Sequence, residues 1–271
     1  EIFVSPTVAV MTSGNELVTP DVKPGPGQIR NSNNPMLVAL AQRAGADVID
    51  LGIARDEEVA IRALIDEGLR HDVLILSGGV SAGVLDLIPK VLREAGVEQV
   101  FHKVQLKPGK PIWFGLHTAN DADTMVFGLP GNPVSSLVCF ELFVSPAIAQ
   151  MRGHQEVSDC WQRGRLSQPH QQRGDRPVYF PGVLKNCEPG PVDLPTVTPL
   201  PWQGSADLST LAKANCLIHF PAASALMRHS ITCPRALMAD CPNGKGSPAA
   251  TDICCLIKST PVIISVTGCS T

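Results

Sequence analysis

Three glycine- or proline-rich segments each follow an apolar run that predicts a β-strand. The first segment, residues 78–83, contains Gly78, Gly79, Ser81 and Gly83. Glycines let backbone N–H groups turn toward one point, and such a concavity beside a helix N-terminus binds an oxyanion. We therefore predict that these four residues bind an anionic ligand. An ordinary strand-to-helix turn is the alternative for this segment considered by itself.

The same segment contains a Gly-x-Ser-x-Gly string, which is typical of the nucleophile turn of α/β hydrolases. In those enzymes the helix starts at the serine. Here the next helix is predicted to start near Asp86 or Leu87, five or six residues after Ser81. A serine hydrolase is therefore a weaker alternative for this chain.

The second and third segments carry different groups that suit an anion. Residues 107–111 place Lys107 and Lys110 on a turn that prolines stiffen, and ammonium groups neutralise phosphate as point charges. A solvated surface hairpin is the alternative role for these lysines. Residues 128–133 present backbone amides at the start of an apolar helix. The candidate ligand-binding residues in this third segment are Pro130, Gly131, Asn132 and Pro133.

Three carboxylates occupy comparable strand-to-helix positions, namely those of Glu16, Asp56 and Asp86. A Mg²⁺ ion that holds phosphate oxygens commonly uses one or two protein carboxylates together with water. The three residues are therefore candidates for catalysis and for metal binding beside an anionic ligand. Helix capping is the alternative role, and it is the commoner one for an acid at the position of Asp56.

The elements that position these segments alternate between β-branched runs and amphipathic stretches. This alternation predicts an α/β fold in which helices cover both faces of a mostly parallel sheet, a three-layer α/β/α arrangement. The carboxyl ends of parallel strands meet at one edge, so the three segments are expected to converge there. Asn33 or Asn34, Asp56 and Asn132 are the predicted helix caps. The predicted strands are 7–12, 47–51, 73–77, 97–106 and 124–128, and the predicted helices are 35–44, 57–70, 87–95 and 133–151.

The hydrophobic periodicity of the sequence and its content of Pro and Gly change along the chain. We predict an α/β domain over residues 1–153, a small β domain over 154–222, and an irregular tail over 223–271. Five of the nine cysteines lie in that tail, and none precedes Cys139. Such sparse cysteines indicate free thiols in a reducing compartment, which predicts a cytoplasmic protein without a cysteine-bound metal.

Composition argues against several classes of partner. The formal net charge is −3 with 17% charged residues, so the chain has no global basic field for nucleic acid or a membrane surface. No apolar run is expected to approach the roughly 20 residues that a membrane-spanning helix needs, and residues 1–6 do not resemble a signal peptide. The sequence therefore predicts a small-molecule ligand, with no nucleic acid and no membrane.

Taken together, residues 8–17, residues 77–83 with Asp86, residues 107–111 and residues 128–133 resemble the MoeA family of molybdopterin molybdenumtransferases, which includes the E domain of gephyrin. The motifs occur in the order of the family. Residues 155–222 are similar, more weakly, to the C-terminal β-barrel domain of that family. The resemblance implies a molybdopterin-binding α/β domain followed by a small β-barrel-like domain, with the family's N-terminal domains missing.

The resemblance also implies a reaction in which adenylylated molybdopterin and molybdate give the molybdenum cofactor and AMP, with Mg²⁺ required. Glu16, Asp56 and Asp86 would take the acidic metal and substrate positions. A homodimer and a molybdopterin adenylyltransferase partner are further implications. Two alternatives are a molybdopterin adenylyltransferase and a non-catalytic pterin-binding scaffold module. The residues that would line the pterin-phosphate and oxyanion pocket are Ser81, Lys107, Lys110, Pro130 and Pro133.

Overall fold

The computed structural model places the chain in two compact units, each described by itself: Glu1–Val104 with Gly109–Gln155, and Gln105–Pro108 with Glu156–Thr271. The second unit thus includes a four-residue piece of the loop between two strands of the first. The residues that the structure describes are 3–79, 87–119, 122–154, 161–162, 164–171, 174–185, 194–222, 226–227, 231–232 and 262–266.

The first unit is built on a six-stranded mixed sheet with the order β4-β1-β5-β8-β7-β6. The pairings β4–β1, β1–β5 and β5–β8 are parallel, whereas β8–β7 and β7–β6 are antiparallel. The strand β6 therefore runs in the same direction as β8, and only β7 is reversed. A separate short parallel pair joins β2 to β3. The strands are β1 (Thr7–Ser13), β2 (Leu17–Val18), β3 (Ile29–Arg30), β4 (Asp47–Ala54), β5 (Val73–Ser77), β6 (Glu98–His102), β7 (Trp113–Ala119) and β8 (Ala122–Leu129).

Helices cover the two faces of this sheet, which confirms the predicted α/β class. The helices are α1 (Asn33–Arg43), α2 (Glu58–Gly68), α3 (Leu87–Glu94), α4 (Pro133–Cys139), a π-helical turn (Phe140–Val144) and α5 (Ser145–Met151). The helices α2 and α3 contact one another, as do α1 and α4. The central strands are buried on both faces, so they read as continuous apolar runs.

Side-chain spacing explains which face of each element is buried. Ile61 and Ile65 lie one helical turn apart in α2, and both are at most 1% exposed. They share a cluster with Met11 and Leu76, whose side chains leave β1 and β5 on one face of the sheet. Burying each such side chain stabilises the fold by about 1.5–3 kcal/mol. This burial holds the carboxyl ends of β1 and β5 side by side.

The helix starts differ from the predicted caps. Ser32 and Glu57 occupy the N-cap positions of α1 and α2, so Asn33 or Asn34 and Asp56 were wrong as caps. Asn132 is the N-cap residue of α4, as predicted, although its side chain makes no cap hydrogen bond. Asn33, Asn34 and Asp56 instead use their side chains in contacts with distant parts of the chain, because tertiary partners compete with local capping.

Two further expectations of the sequence were wrong in this unit. The predicted strand over 97–106 ends at His102, and β7 was not predicted. The continuous helix Pro133–Met151 has 19 residues and is apolar enough, by length and composition alone, to cross a membrane, contrary to the expectation that no such run exists. Half of its most apolar window is buried inside the protein, which the core helix of a globular domain also shows.

The second unit contains a seven-stranded curled sheet, consistent with the predicted small β-barrel-like domain. Its path is β10-β13-β12-β14-β17-β16, with β9 paired to β17. Leu166, Val197 and Phe220 belong to its apolar core. Among the described residues of the second unit, three strands lie within 223–271, the segment predicted to be irregular: two belong to this sheet, and the third pairs with β11 in a separate two-stranded sheet. The elements are β9 (Trp161–Gln162), β10 (Arg165–Leu166), β11 (His170–Gln171), β12 (Val178–Lys185), β13 (Thr196–Pro199), α6 (Leu208–Leu211), β14 (Cys216–Phe220), β15 (Leu226–Met227), β16 (Ile231–Thr232) and β17 (Val262–Val266).

Candidate functional site

The turns that follow β1, β5 and β8 meet at the carboxyl edge of the sheet in the first unit. The amide of Gly78 donates to the carbonyl of Leu129 at 3.4 Å. A Cβ atom built on Gly131 would lie 3.8 Å from the Cα of Gly78. A Cβ atom built on Gly79 would lie 2.9 Å from the Oγ of Ser13. Ser13, Gly78–Gly79 and Gly131 therefore line one small region, as the sequence predicted for the first and third segments.

Glycine is required at both positions after β5. Gly78 and Gly79 have φ values of +95° and +60°, where residues with a Cβ are strained. A Cβ on Gly78 would also lie 2.6 Å from the carbonyl oxygen of Ser13, and one on Gly79 would lie 2.7 Å from the Cδ1 of Ile88. The missing side chains leave the backbone of the turn uncovered beside the end of β1. Such a surface is suited to hydrogen bonding with an oxyanion.

A buried polar network ties the turns after β5 and β8 to α1. The Nδ2 of Asn33 donates to the Oγ of Ser77 at 2.8 Å and to the carbonyl of Gly131 at 2.7 Å. The hydroxyls of Ser77 and Ser136 both donate to the carbonyl of Pro130. Asn33, Ser77 and Ser136 are each at most 8% exposed. Buried polar groups of this kind persist because they satisfy one another.

A second set of buried contacts fixes the loop that enters α1. The Nδ2 of Asn31 donates to the Oγ1 of Thr12 at 2.7 Å, and the Oδ1 of Asn31 accepts from the amide of Asn34 at 3.1 Å. The Nδ2 of Asn34 donates to the Oδ1 of Asp50 at 2.8 Å. This set links α1 to β1 and β4. The first turn of α1 is thus held against the sheet from two sides.

Two buried oxygens at this edge have no hydrogen-bond partner among the described residues. They are the Oγ of Ser13, whose residue is 5% exposed, and the Oδ1 of Asn33, whose residue is 8% exposed. A buried polar atom without a partner costs free energy, so it calls for a water molecule or a ligand group. Both oxygens belong to the residues that surround the glycine turns.

Two of the three predicted carboxylates lie in neighbouring turns. The amide of Asn15 donates to the Oδ2 of Asp56, and the amide of Asp56 donates to the Oδ1 of Asn15, both at 3.1 Å. Glu16, the next residue, is exposed, as is Asp56. Among the described residues no group of three His, Cys, Asp or Glu side chains is placed to hold a metal ion. Two exposed carboxylates still match the one or two that Mg²⁺ commonly takes from a protein.

The two predicted lysines belong to different units. Lys110 is in the first unit, where its carbonyl accepts from the amide of Val104 at 2.9 Å. Lys107 is in the second unit, where its amide donates to the carbonyl of Pro177 at 2.9 Å and its carbonyl accepts from the amide of Tyr179 at 2.8 Å. Both lysines are exposed. Their shared role in anion binding stays a prediction.

The remaining predicted residues divide into two groups. Pro130, Gly131 and Asn132 lie at the carboxyl edge between β8 and α4, and Pro133 is the first residue of α4. Ser81, Gly83 and Asp86 lie outside the described residues. Sequence reasoning missed Ser13 and the network residues Asn33, Ser77 and Ser136 as parts of a site. Polar side chains within buried apolar runs, such as the serines of α4, were the signal that could have found them.

A mostly parallel sheet, glycine turns at its carboxyl edge and unpartnered buried oxygens beside them define an α/β ligand-binding domain. Comparison with known families gives that class a closer description. Residues 9–150 match the family described as a probable molybdopterin binding domain, and residues 163–226 match the MoeA C-terminal region, domain IV. The chain belongs to the MoeA family, which confirms the resemblance of the four motifs.

Individual relatives agree with this assignment. The chain is 31% identical over 226 residues to a molybdopterin molybdenumtransferase of Staphylococcus aureus (strain Mu50), covering 83% of this chain and 52% of that protein. It is 37% identical over 154 residues to one of Nostoc sp. (strain PCC 7120), covering 56% of this chain and 35% of that protein. The crystal structure of a molybdopterin biosynthesis MoeA protein from Pyrococcus horikoshii has a TM-score of 0.69 at 27% identity, covering 85% of this chain and 54% of that one. The chain spans about half the length of the curated relatives it matches.

Proposed function

We propose that this chain acts in molybdenum cofactor biosynthesis as a molybdopterin molybdenumtransferase. The proposed reaction is the Mg²⁺-dependent insertion of molybdate into adenylylated molybdopterin, with release of AMP. The observation that carries the proposal is the meeting of three strand-end turns at one edge, where Gly78 lies against both Ser13 and Gly131. The family assignment supplies the chemical class of the ligand, and the local structure supplies groups that suit its phosphates and the oxyanion.

Different groups at the carboxyl edge would bind the anionic oxygens and supply positive charge. The amide of Gly79 and the N-terminal turn of α4, which begins at Pro133, would hold oxyanion and phosphate oxygens. Lys110 would add positive charge. Bringing the two anions together is the main barrier that such a site lowers, so positioning and electrostatic stabilisation supply most of the rate enhancement.

Magnesium fits the donor set of the two turns that follow β1 and β4. Glu16 and Asp56 offer hard carboxylate oxygens, and substrate phosphates with water would complete the coordination. The bond from the amide of Asn15 occupies only the Oδ2 of Asp56, so the Oδ1 stays available for a metal ion. A bound Mg²⁺ ion would neutralise the pyrophosphate charge of the substrate.

The central test is release of AMP by the full chain incubated with adenylylated molybdopterin, Mg²⁺ and molybdate. We expect molybdate-dependent AMP release that a blank without protein does not show. The variants Glu16→Gln and Asp56→Asn should raise the half-saturating Mg²⁺ concentration at least tenfold. Asp21→Asn is the matched control, because Asp21 is an exposed acid of the same excursion between β1 and α1.

Other outcomes would replace the proposal. Formation of adenylylated molybdopterin from ATP and free molybdopterin would indicate an adenylyltransferase. Pterin binding without turnover, even when a homologue supplies further domains, would indicate a binding or scaffold module. An Asp21 variant as impaired in Mg²⁺ dependence as the Glu16 and Asp56 variants would remove the assignment of the metal carboxylates.

We infer a cytoplasmic location and a homodimer, with a molybdopterin adenylyltransferase as the partner that supplies the substrate. Sedimentation of the purified chain at micromolar concentration tests the dimer, because a single species at 28.8 kDa would contradict it. Fractionation of cells that express the chain tests the location.

A further inference from the structure

Asn33 occupies the first turn of α1, and its amide spans two of the turns at the candidate site. Its Nδ2 donates to the Oγ of Ser77 at 2.8 Å and to the carbonyl of Gly131 at 2.7 Å. A backbone carbonyl can only accept, so the group that reaches Gly131 must be the N–H₂ end of the amide. Both amide hydrogens are thereby used, one for each turn.

Hydrogen bonds beyond Asn33 close the network. The hydroxyl of Ser77 has one proton, which it donates to the carbonyl of Pro130 at 3.3 Å, so it accepts from Asn33. Ser77 is the last residue of β5 and immediately precedes Gly78. The amide of Asn33 therefore connects the end of β5 to the turn between β8 and α4 through direct bonds to both.

The separation of these turns sets where their backbone amides point. A Cβ on Gly131 would lie 3.8 Å from the Cα of Gly78, which is ordinary van der Waals contact. Besides the pairing of β5 with β8, the described contacts that hold the turns together are the 3.4 Å bond from Gly78 to Leu129 and the network of Asn33, Ser77 and Ser136. Removing the amide of Asn33 would leave the carbonyl of Gly131 without this donor and free the turn to move.

We propose that Asn33 is the positioning residue that holds the Gly78–Gly79 turn and the Pro130–Gly131 turn at the spacing an oxyanion or phosphate ligand needs. This inference rests on the proposed function for the identity of the ligand. Asn33 acts through the two turns, and neither the ligand nor the metal has to touch it. Loss of its N–H₂ group should therefore weaken ligand binding by more than its loss of stability explains.

Asn34 provides a matched control in the next position of the same helix. It is also 8% exposed, and its Nδ2 donates to the Oδ1 of Asp50 at 2.8 Å. That bond ties α1 to β4 and does not involve the glycine turns. A purely structural role for Asn33 predicts the same behaviour for Ala substitutions at 33 and 34, whereas positioning predicts that they differ.

The experiment compares Asn33→Ala, Asn33→Asp and Asn34→Ala in the full chain. We expect the two Ala variants to lose similar thermal stability. The KM for adenylylated molybdopterin should rise at least tenfold in Asn33→Ala and change less than threefold in Asn34→Ala, with kcat reduced less than KM is raised. Asn33→Asp keeps the shape of the side chain and loses its donors, so it should match or exceed the defect of Asn33→Ala.

A second measurement decides the positioning role independently of the pterin. Amide hydrogen exchange of peptides that cover Gly78 and Gly131 should accelerate at least tenfold in Asn33→Ala and stay near the wild-type rate in Asn34→Ala. Equal exchange and equal KM changes in the two variants would overturn the proposal. If wild-type protein shows no turnover and no pterin binding, the proposed function fails, and the exchange comparison still decides the role of Asn33.

Discussion

Replacing Gly78 by alanine tests the geometry of the candidate site most directly. Two costs combine at this position. A residue with a Cβ at φ +95° is strained by about 1–2 kcal/mol. The new Cβ would also lie 2.6 Å from the carbonyl oxygen of Ser13, roughly 1 Å inside ordinary contact, and overpacking of this kind costs about 1–3 kcal/mol. The free energy of unfolding should fall by about 2–5 kcal/mol in total.

Gly27→Ala separates the two costs. Gly27 has φ +75°, but no atom of the residues that the structure describes lies within 4 Å of its Cβ position, so only the backbone strain applies. We expect it to lose about 1–2 kcal/mol. Urea unfolding of both variants, followed by circular dichroism, gives the difference, which should be about 1–3 kcal/mol. The larger loss of unfolding free energy in Gly78→Ala measures the cost of the close approach between the ends of β1 and β5.

Ligand binding gives the functional side of the same test. Because β1 and β5 must move apart to admit the methyl group of Gly78→Ala, the turn amides should shift and the affinity for adenylylated molybdopterin should fall at least tenfold. Gly27→Ala should bind as wild type does, since Gly27 lies in the excursion between β2 and β3. Unfolding free energies of the two variants within about 0.5 kcal/mol of each other would refute the contact between Ser13 and Gly78.

Three further predictions concern other contacts. Arg43→Met should lower the unfolding free energy by about 3–5 kcal/mol near neutral pH in urea titrations, because it leaves the 8% exposed carboxylate of Glu141 without its ion-pair partner. Burial raises the pKa of Glu141, so as pH falls the folded state takes up a proton before the unfolded state does. The loss of unfolding free energy in Arg43→Met should therefore shrink toward pH 5. A loss that does not change with pH would contradict this. The rings of His170 and Phe220 stack with their centroids 4.2 Å apart, and burial lowers the pKa of His170. The free energy of unfolding should therefore fall as pH drops through the unfolded His pKa of about 6.5. Unfolding of His170→Phe between pH 8 and pH 5 should show a weaker dependence on pH. Gly131→Ala should unfold within about 1 kcal/mol of wild type, because within the described part of the chain its Cβ meets only one atom, at 3.8 Å. The variant should still lose pterin affinity in calorimetry if the ligand approaches this backbone, and unchanged affinity would place the ligand elsewhere.

Much of the first unit could be predicted because its local signals agree with its tertiary structure. The strand Val73–Ser77 is fully buried, and its run of apolar residues before two glycines marked both of its ends correctly. The strand β7 was missed, although it pairs with β6 and β8 on both sides. The strand β7 runs antiparallel to both neighbours, and hydrophobic periodicity carries no information about the direction in which a strand runs.

Helix starts were less predictable than the helices themselves. The asparagines at the start of α1 have a high propensity to cap, yet the buried amides of Asn33 and Asn34 contact Ser77 and Asp50 instead. Asp56 likewise exchanges hydrogen bonds with Asn15. Local propensity is overridden where a longer-range partner is available to the same side chain.

The sequence by itself determined the order of strands and turns and the presence of residues suited to anions. It also determined the family, through motifs that occur in one order along residues 8–133. The glycines at 78 and 79 indicated a backbone with positive φ, because no other residue adopts positive φ so readily. These properties are local, so each can be read from a short stretch of chain.

Only the tertiary structure decided which of these residues meet. The bonds of Asn33 join positions 44 and 98 residues apart in sequence, and its contact with Ser136 spans 103 residues. Contacts of this range depend on the order of strands in the sheet, which places β5 between β1 and β8. The free energy that selects that order comes from burying the faces of the whole sheet, and no single segment of the sequence records it.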